Sequence, residues 1–247
     1  MSFDPTQRGW LNDVPSYIPP VQIGEVMRAG SVGRVIESKN QNFSEDDIVQ
    51  GSFGWQEYAI SGEGAGFMPP QKLPEGISPT SALSIYGITG LTAYFGMLDI
   101  GKPVENDTVL ISGAAGATGS VAGQIARIKG ASNIIGIAGG PEKCTYVKDV
   151  LQLDECIDYK AGNLEQDLKN ACPNGIDIYF ENVGGPVTRA IAPLLNKGSR
   201  VPICGFISQY NAKDVLKAET PFDVLGSLEI KPKHRFFVVT EWALSLI

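Results

Sequence analysis

Residues 108–130 read TVLISGAAGATGSVAGQIARIKG, and this stretch decides the fold. It begins with the apolar run TVLIS at residues 108–112, which is typical of a buried parallel strand. A glycine-rich turn follows at residues 113–119. Apolar residues then recur at helical spacing over residues 121–128, with polar residues between them. The stretch therefore predicts a strand, a tight turn and an amphipathic helix, in that order.

The same alternation continues on both sides of this stretch. A helical run broken near Gly87 and Gly90 precedes it at residues 78–98. Parallel strands joined by helices of about ten residues specify right-handed βαβ crossovers and an α/β fold with a doubly wound parallel sheet. The further strands are predicted at residues 134–138, 156–158, 177–180 and 200–205, with a last candidate, FFVV, at 236–239; the helices between them are predicted at residues 143–150, 163–171 and 186–195.

The amino-terminal part has a different pattern. Residues 25–61 are punctuated by glycine and carry alternating apolar residues such as Val32 and Val35, which predicts strands of an antiparallel barrel or sandwich. A proline-rich bridge at residues 67–79 separates this part from the alternating helices and strands. We therefore expect two structural regions.

Composition excludes several classes of function. The chain has 247 residues, and 20 Lys+Arg against 27 Asp+Glu give a net charge of −7, so a phosphate-backbone (nucleic-acid) partner is not expected. No apolar run approaches the ~20 residues of a membrane span, and the amino terminus has no signal-peptide core, which predicts a soluble cytoplasmic protein with no membrane partner.

Neither a disulfide framework nor a metal site is expected. The cysteines, Cys144, Cys156, Cys172 and Cys204, are sparse and irregularly spaced, and His234 is the sole histidine. A zinc site normally needs a cluster of such ligands. We predict reduced thiols and no metal.

The turn at residues 113–119 has the spacing GxxGxxG, with Gly116 and Gly119 in the last two positions. Glycine is needed where a side chain would keep a pyrophosphate from the backbone, and the helix that follows presents free N–H groups and a positive dipole end. The context between a strand and an amphipathic helix predicts a Rossmann-type dinucleotide site. The alternative is that these glycines only allow close packing of helix and strand.

The second strand ends without an acidic residue. A site that prefers NAD usually carries Asp or Glu there, but Gly139 and Gly140 occupy that place and Lys143 follows. Glu142 lies beyond the glycines and reads as an exposed residue at a helix start. A lysine ammonium attracts a ribose phosphate, so NADP is favoured as cofactor over NAD. The alternative for Lys143 is a solvated surface lysine.

Several segments together resemble one family. They are LTAYFGMLDIGKP, VLISGAAGATGSVAGQIARIKG, IAGGPEKC, IDYKAG, DIYFENVGG and PICGFISQYN. This order is similar to the zinc-independent medium-chain dehydrogenase/reductase superfamily, in its branch of NADPH-dependent enone reductases, which includes prostaglandin, alkenal double-bond and curcumin reductases. The likeness runs from residue 1 to about residue 211.

The resemblance implies a set of cofactor contacts. Two of the residues concerned could instead have a purely structural role. Asn182 could be a turn residue, and Tyr159 could be a half-buried aromatic at a strand end. The implied contacts are Gly116, Ala117, Thr118 and Gly119 on the pyrophosphate, Lys143 and Tyr159 on the ribose phosphate, and, around the nicotinamide, Asn182, Cys204, Gly205, Phe206, Ile207, Ser208, Phe237, Val238 and Val239.

The resemblance also implies a division of the chain. Residues 1–70 correspond to a partial chaperonin-10-like β domain on the substrate side, residues 71–211 to the NADP-binding domain, and residues 212–247 to a return segment. Members usually extend further at both ends, so the chain resembles a shortened member. They also read DPYMR where this chain reads DPTQR, so Thr6 replaces a tyrosine that can contribute to the substrate pocket.

The implied activity is reduction of the C=C bond of a small α,β-unsaturated ketone or aldehyde by NADPH. Tyr210, at the end of the loop after the fifth strand, is the candidate catalytic residue, because its hydroxyl could donate a hydrogen bond to the substrate oxygen. The alternative is that Tyr210 only walls the pocket. The alternative functions are a quinone reductase of the same superfamily and a shortened NADP-binding remnant without activity. A homodimer is a further possible assembly.

Overall fold

The computed structural model describes residues 1–14, 16–62, 68–214 and 217–243 of the chain. These residues belong to two compact units, Met1–Thr89 and Gly90–Ile247. The assignment of domains to residues 1–70, 71–211 and 212–247 remains a prediction. Among the described residues, no helix is both long enough and apolar enough to cross a membrane.

The first unit contains a small antiparallel sheet. Its strands are β1 (Ser31–Arg34), β2 (Ile48–Gly51) and β3 (Gln71–Lys72), with β2 in the middle. A 3-10 helix at Pro5–Leu11 precedes the sheet and helix α1 (Pro79–Leu83) follows it. The predicted antiparallel strands within residues 25–61 are therefore confirmed as two short strands.

The predicted helical run at residues 78–98 is interrupted once. Helix α1 ends at Leu83, helix α2 spans Ile88–Phe95, and a π-helical turn continues it over Gly96–Gly101. A side chain on Gly87 would place its Cβ 2.7 Å from the Leu83 carbonyl oxygen, so the break there has a steric reason. The predicted break at Gly90 is wrong, because this glycine is buried within α2 and a single glycine costs a helix only ~1 kcal/mol.

The second unit is a six-stranded parallel sheet, as predicted. Its order is β6-β5-β4-β7-β8-β9, and all of its pairs are parallel. The strands are β4 (Thr108–Ser112), β5 (Asn133–Ala138), β6 (Glu155–Asp158), β7 (Ile176–Phe180), β8 (Leu195–Ile203) and β9 (Lys233–Phe236); the helices are α3 (Ala117–Ile128), α4 (Pro141–Thr145), α5 (Leu164–Ala171), α6 (Pro186–Ile191), α7 (Pro221–Gly226) and α8 (Thr240–Ala243).

Both faces of this sheet are covered. All five residues of β4 are buried, and its three apolar residues alternate between two apolar clusters. Val109 and Ile111 pack in one cluster with Ala122 and Ala126 of α3, whereas Leu110 belongs to the other. A strand buried on both faces needs apolar residues at consecutive positions, which is why TVLIS reads as an unbroken apolar run.

Several predicted element bounds differ from the observed ones, and the differences are largest at α6, β8 and β9. Strand β8 begins at Leu195, because α6 ends at Ile191 and a 3-10 turn at Ala192–Leu194 returns the chain to the sheet. The predicted strand at residues 236–239 is wrong: β9 is Lys233–Phe236. Its mostly polar sequence pairs with β8 at the edge of the sheet, while the apolar residues after it turn towards α8.

Candidate functional site

The carboxyl ends of the parallel strands converge at one edge of the sheet. The chain passes from β4 outwards through β5 and β6 and then returns to β7 on the other side of β4. This reversal between β4 and β7 is a topological switch point, where open α/β sheets place their ligands. Every predicted site residue of the second unit follows one of these strands, so the predicted set lies along one edge.

The glycines of the turn after β4 have different roles. Gly113 adopts φ +65°, and Gly119 packs so closely on it that a Cβ would lie 2.3 Å from the Gly113 carbonyl oxygen. These two glycines serve the close packing of helix and turn. Gly116 precedes α3, is exposed, and a Cβ there would lie 3.2 Å from the same oxygen. A Cβ at Gly116 would therefore contact only this one oxygen of the turn, and no other atom would lie within 4 Å of it.

The start of α3 offers an anion site. Ala117 is exposed, Thr118 is half-buried, and neither the helix start nor its cap at Gly116 has a side-chain capping hydrogen bond. The first N–H groups of a helix have no acceptor within the helix, and they lie at the positive end of its dipole. These backbone groups can bind a phosphate oxygen.

The turn after β5 is packed against the end of β6. A Cβ on Gly139 would lie 2.7 Å from the Tyr159 ring and 3.0 Å from Lys160 Cε, so the missing acid leaves room for these side chains. Gly140 adopts φ +96° and donates its N–H to Asp158 at 2.8 Å. The hydrogen bonds from the Gly140 and Lys160 backbones lower the pKa of Asp158.

Two lysines follow the neighbouring strands β5 and β6. Lys143 lies on α4 and is exposed, and Lys160 extends its ammonium 5.9 Å from the centre of the exposed Tyr159 ring. The cation–π contact holds Lys160 over the ring. Lys160 was not among the predicted site residues, although its place directly after Tyr159 was a signal that pointed to it.

A buried carboxylate organises the turn after β7. Glu181 is 0% exposed. Its Oε1 accepts hydrogen bonds from the Val183 N–H at 2.7 Å, the Gly184 N–H at 3.0 Å and the Ser112 hydroxyl at 3.1 Å. Its Oε2 accepts the Thr188 hydroxyl. Glu181 was not among the predicted site residues, because an acid in a turn sequence gives no sign of burial.

The same turn joins its neighbours on both sides. Asn182 donates its side-chain amide to the Ser112 carbonyl at 2.7 Å, which ties the turn to the end of β4. The Glu181 carbonyl accepts the Cys204 N–H at 2.9 Å, and the Asn182 carbonyl accepts the Ile207 N–H at 3.1 Å. Asn182 is therefore held at the switch point by contacts from β4 and from the loop after β8.

The Tyr179 hydroxyl and the Cys204 thiol, which lie near the Glu181 carboxylate, both keep their proton at neutral pH. Burial, and then the Glu181 charge, raises the pKa of the Tyr179 hydroxyl well above its usual value. The same two causes raise the pKa of the Cys204 thiol to about 12. Cys204 is therefore a protonated thiol at neutral pH and is unsuited to act as a thiolate nucleophile.

The loop after β8 folds back on itself. Ile207–Gln209 forms a 3-10 turn, and the rings of Phe206 and Tyr210 pack edge to face at 5.9 Å. A Cβ on Gly205 would lie 2.6 Å from the Tyr210 hydroxyl oxygen. The half-buried Tyr210 thus has its hydroxyl over the backbone of its own loop, at the carboxyl edge of the sheet. Both predicted roles, donor and wall, are compatible with this position.

Residues 237–239 are not a strand that lies alongside these loops. Phe237 is buried, with its ring edge to face against Phe180 at 6.5 Å and against Trp242 at 5.8 Å. The half-buried Val238 and Val239 lead into α8. Their proposed contact with a cofactor remains a prediction, and the packing of Phe237 assigns its side chain to the core.

Two further predicted features can be placed. Thr6, in the first unit, lies within hydrogen-bond distance of the Tyr17 hydroxyl, at 2.6 Å. Among the residues with described positions, no group of three His, Cys, Asp or Glu side chains could hold a metal ion. Independence from zinc stays a prediction for metal analysis.

Family comparisons match both parts of the chain. Residues 1–69 match the N-terminal domain of oxidoreductase family, and residues 117–243 match the zinc-binding dehydrogenase family. NADPH-dependent curcumin reductase from Escherichia coli (strain K12) is 42% identical over 243 residues, which cover 98% of this chain and 69% of that protein. Prostaglandin reductase 1 from Mus musculus is 45% identical over 193 residues, 76% of this chain and 57% of that protein.

A solved structure agrees with these relatives. The crystal structure of CurA in complex with NADPH from Vibrio vulnificus has a TM-score of 0.85 and 44% sequence identity, and the alignment covers 99% of this chain and 76% of that one. The chain belongs to the medium-chain dehydrogenase/reductase superfamily, in the branch that includes curcumin reductase and prostaglandin reductase.

Proposed function

We propose that this protein is an NADPH-dependent oxidoreductase that reduces the C=C bond of an α,β-unsaturated ketone or aldehyde. The observation that carries the proposal is the switch-point edge of the parallel sheet, where the turn before α3 and the turn after β7 meet in a chain 42% identical to NADPH-dependent curcumin reductase. The two halves of this edge suit the two halves of a dinucleotide.

The phosphate half fits the cofactor in space and in charge. Gly116 leaves the approach to the α3 N-terminus open, and the N–H groups of residues 117 and 118 would hold the pyrophosphate. Lys143 and Lys160 would attract the ribose phosphate that distinguishes NADP from NAD, with Tyr159 beside them. Gly139 and Gly140 carry no carboxylate that would repel this phosphate.

The other half fits a flat, uncharged ring. Asn182 is fixed against Ser112, and the Glu181 carboxylate is buried beneath its turn. The loop with Cys204, Phe206 and Tyr210 supplies a mostly apolar wall with few charges. We assign this region to the nicotinamide and the reacting part of the substrate.

The chemistry needs a hydride, stabilisation of the developing oxygen charge, and a proton. NADPH supplies the hydride when it is bound. This chain orients the reactants through the turns after β4, β7 and β8, and it excludes water with the apolar residues of the last loop. Tyr210 is the candidate donor to the substrate oxygen; an oriented donor in such a site is worth ~3 kcal/mol in the barrier.

The test is NADPH oxidation under anaerobic conditions with matched panels of enones, 2-alkenals and quinones. We expect consumption of NADPH with enones or alkenals, and a product whose mass is increased by two hydrogen atoms at the former C=C bond. The matched control is Gly116→Val, which should remove turnover together with cofactor binding.

Two other outcomes would contradict the proposal. Turnover of quinones alone, with one-electron cycling, would assign the chain to quinone reduction. Binding of NADPH without turnover of any substrate class would identify a cofactor-binding protein instead.

A further inference from the structure

Two of the cysteines converge outside the proposed catalytic region. Cys144 on α4 and Cys156 on β6 lie with their sulfur atoms 3.1 Å apart, and both are free thiols that are partly exposed. A disulfide bond is about 2.05 Å long, so the two sulfur atoms need to approach by only about 1 Å.

The surrounding structure holds these two thiols opposite each other. Cys156 pairs with Gly136 in the parallel register of β5 and β6, and α4 starts directly after β5. Lys148, four residues after Cys144, forms a 2.9 Å ion pair with Glu155, the residue before Cys156. The strand pairing and the ion pair therefore connect the segments that carry the two cysteines, on either side of the thiol contact.

The pair is also reachable. Cys144 and Cys156 line an open cleft of about 460 Å³ together with Lys148 and Glu155. A molecule as small as a peroxide can enter such a cleft. The other two cysteines differ, because Cys172 is buried and Cys204 lies in the loop after β8.

We propose that Cys144 and Cys156 form a redox-modifiable dithiol that closes to an intramolecular disulfide when hydrogen peroxide oxidises it. The bond would connect α4 to β6, across the segment that carries Lys143 and Tyr159. The inference goes beyond the proposed function and does not depend on it, because the bond forms in the chain without cofactor.

The oxidation proceeds in two steps. Cys144 gives up its proton, and its sulfur attacks one peroxide oxygen and breaks the O–O bond. The departing hydroxide takes up that proton as the first water, and Cys144 is left as a sulfenic acid. The Cys156 sulfur then displaces the sulfenic oxygen, which leaves with the Cys156 proton as a second water while the S–S bond forms. Two electrons pass from the two thiols to the peroxide, and both thiol hydrogens end in water.

The order of these steps follows from the contact between the two thiols, in which the Cys156 S–H donates to the Cys144 sulfur at 3.1 Å and so keeps its hydrogen. Burial, the neighbouring Cys144 and the carboxylates of Glu155 and Asp158 raise the pKa of the Cys156 thiol. A protonated thiol is a poor first nucleophile. Cys144 is therefore assigned the attack on the peroxide, and Cys156 the second step.

The experiment treats the full, reduced chain with hydrogen peroxide, blocks the remaining thiols by alkylation and maps the peptides by mass spectrometry. We expect a loss of two hydrogen masses, a cross-linked pair of peptides containing Cys144 and Cys156, and complete reversal by dithiothreitol. Cys156→Ser should lose the cross-link and accumulate a sulfenic acid at Cys144 that dimedone traps. The matched control, Cys172→Ser combined with Cys204→Ser, should form the cross-link as the wild type does.

Three results would overturn the inference. The first is oxidation of Cys144 or Cys156 to sulfinic acid without a cross-link. The second is a cross-link that joins two chains. The third is a bond that involves Cys172 or Cys204 and leaves the α4–β6 pair reduced.

Discussion

Replacement of Glu181 is expected to loosen the turn after β7 and, through it, the loop after β8. In Glu181→Leu, two backbone N–H groups and the Thr188 hydroxyl lose their acceptor at a position with 0% exposure, and the Ser112 hydroxyl keeps only the Phe180 carbonyl at 3.3 Å. Each unmet buried group costs ~1–3 kcal/mol, and loss of a buried charged partner costs ~3–5 kcal/mol in total. We take ~4 kcal/mol as the expected loss for Leu, a large fraction of the stability of a domain.

Glu181→Gln should cost less. The amide oxygen can keep the bonds from Val183 and Gly184, and the Thr188 hydroxyl can turn to accept from the new NH₂ group. What remains is the loss of charge assistance, ~1 kcal/mol for each of two or three bonds, partly offset because a neutral group is easier to bury. A loss of ~2 kcal/mol corresponds to a Tm lowered by roughly 4–8 °C.

Two measurements together test this reasoning. Thermal unfolding followed by circular dichroism gives the order wild type, Gln, Leu, and amide hydrogen exchange should rise at residues 183, 184, 207 and 208 in both variants. The control is Asp177→Asn, at the opposite edge of the sheet, where the carboxylate accepts the Thr108 N–H at 2.9 Å. It should lower Tm without faster exchange in those loops. A Leu variant within ~0.5 kcal/mol of wild type, or unchanged loop exchange, would refute the role of Glu181.

The remaining predictions concern the cofactor, the turn, the catalytic residue and metals. Lys143→Ala and Lys160→Ala should each weaken NADPH binding about tenfold or more, as measured by fluorescence titration, and leave NADH binding nearly unchanged. Equal affinity of the wild type for both cofactors would contradict the NADP preference. Gly116→Val should abolish NADPH binding while the circular dichroism spectrum stays native. Gly119→Ala should lower Tm, because its Cβ would lie 2.3 Å from a carbonyl oxygen. Normal NADPH binding by the Gly116→Val variant would show that the turn has only a structural role. Tyr210→Phe should lower kcat and kcat/KM together about a hundredfold, and unchanged kinetics would leave Tyr210 as a wall. Dialysis against a chelator should leave activity unchanged, and stoichiometric zinc whose removal abolishes activity would disprove independence from zinc.

Local sequence predicted the centre of the sheet well because burial there leaves a local pattern. Strand β4 was predicted to the residue, since a strand covered on both faces carries consecutive apolar residues, here residues 109–111. The edge strand β9 was missed for the converse reason. Its KHRF sequence has no apolar pattern, and its strand conformation comes from pairing with β8, which is distant in sequence. The apolar residues after β9 do not form a strand. Their first residue, Phe237, packs its ring against Phe180 in the core.

In the candidate site, too, features set by consecutive residues could be predicted, and features set by tertiary contacts could not. The turn before α3 could be predicted because its chemistry lies in a few consecutive residues. Glu181 and the Cys144–Cys156 pair could not. The burial of the carboxylate and its bond from Ser112, 69 residues away, depend on tertiary contacts, and the two thiols meet across a helix and a strand. Spacing along the chain carries no signal for either.

The shared carboxylate beneath the turn after β7 also bears on the thermodynamics of ligand binding. Loops that must be ordered by their ligand impose an entropic cost on association, and this cost lowers the affinity obtained from a given set of contacts. Here the turn at residues 182–184 is already hydrogen-bonded to the ends of β4 and β7 and to the loop after β8. A ring that binds against this turn meets a surface ordered beforehand. Calorimetry of binding to this half of the site should therefore show a heat-capacity change that matches the apolar area buried, without the larger change that accompanies folding of a loop on its ligand.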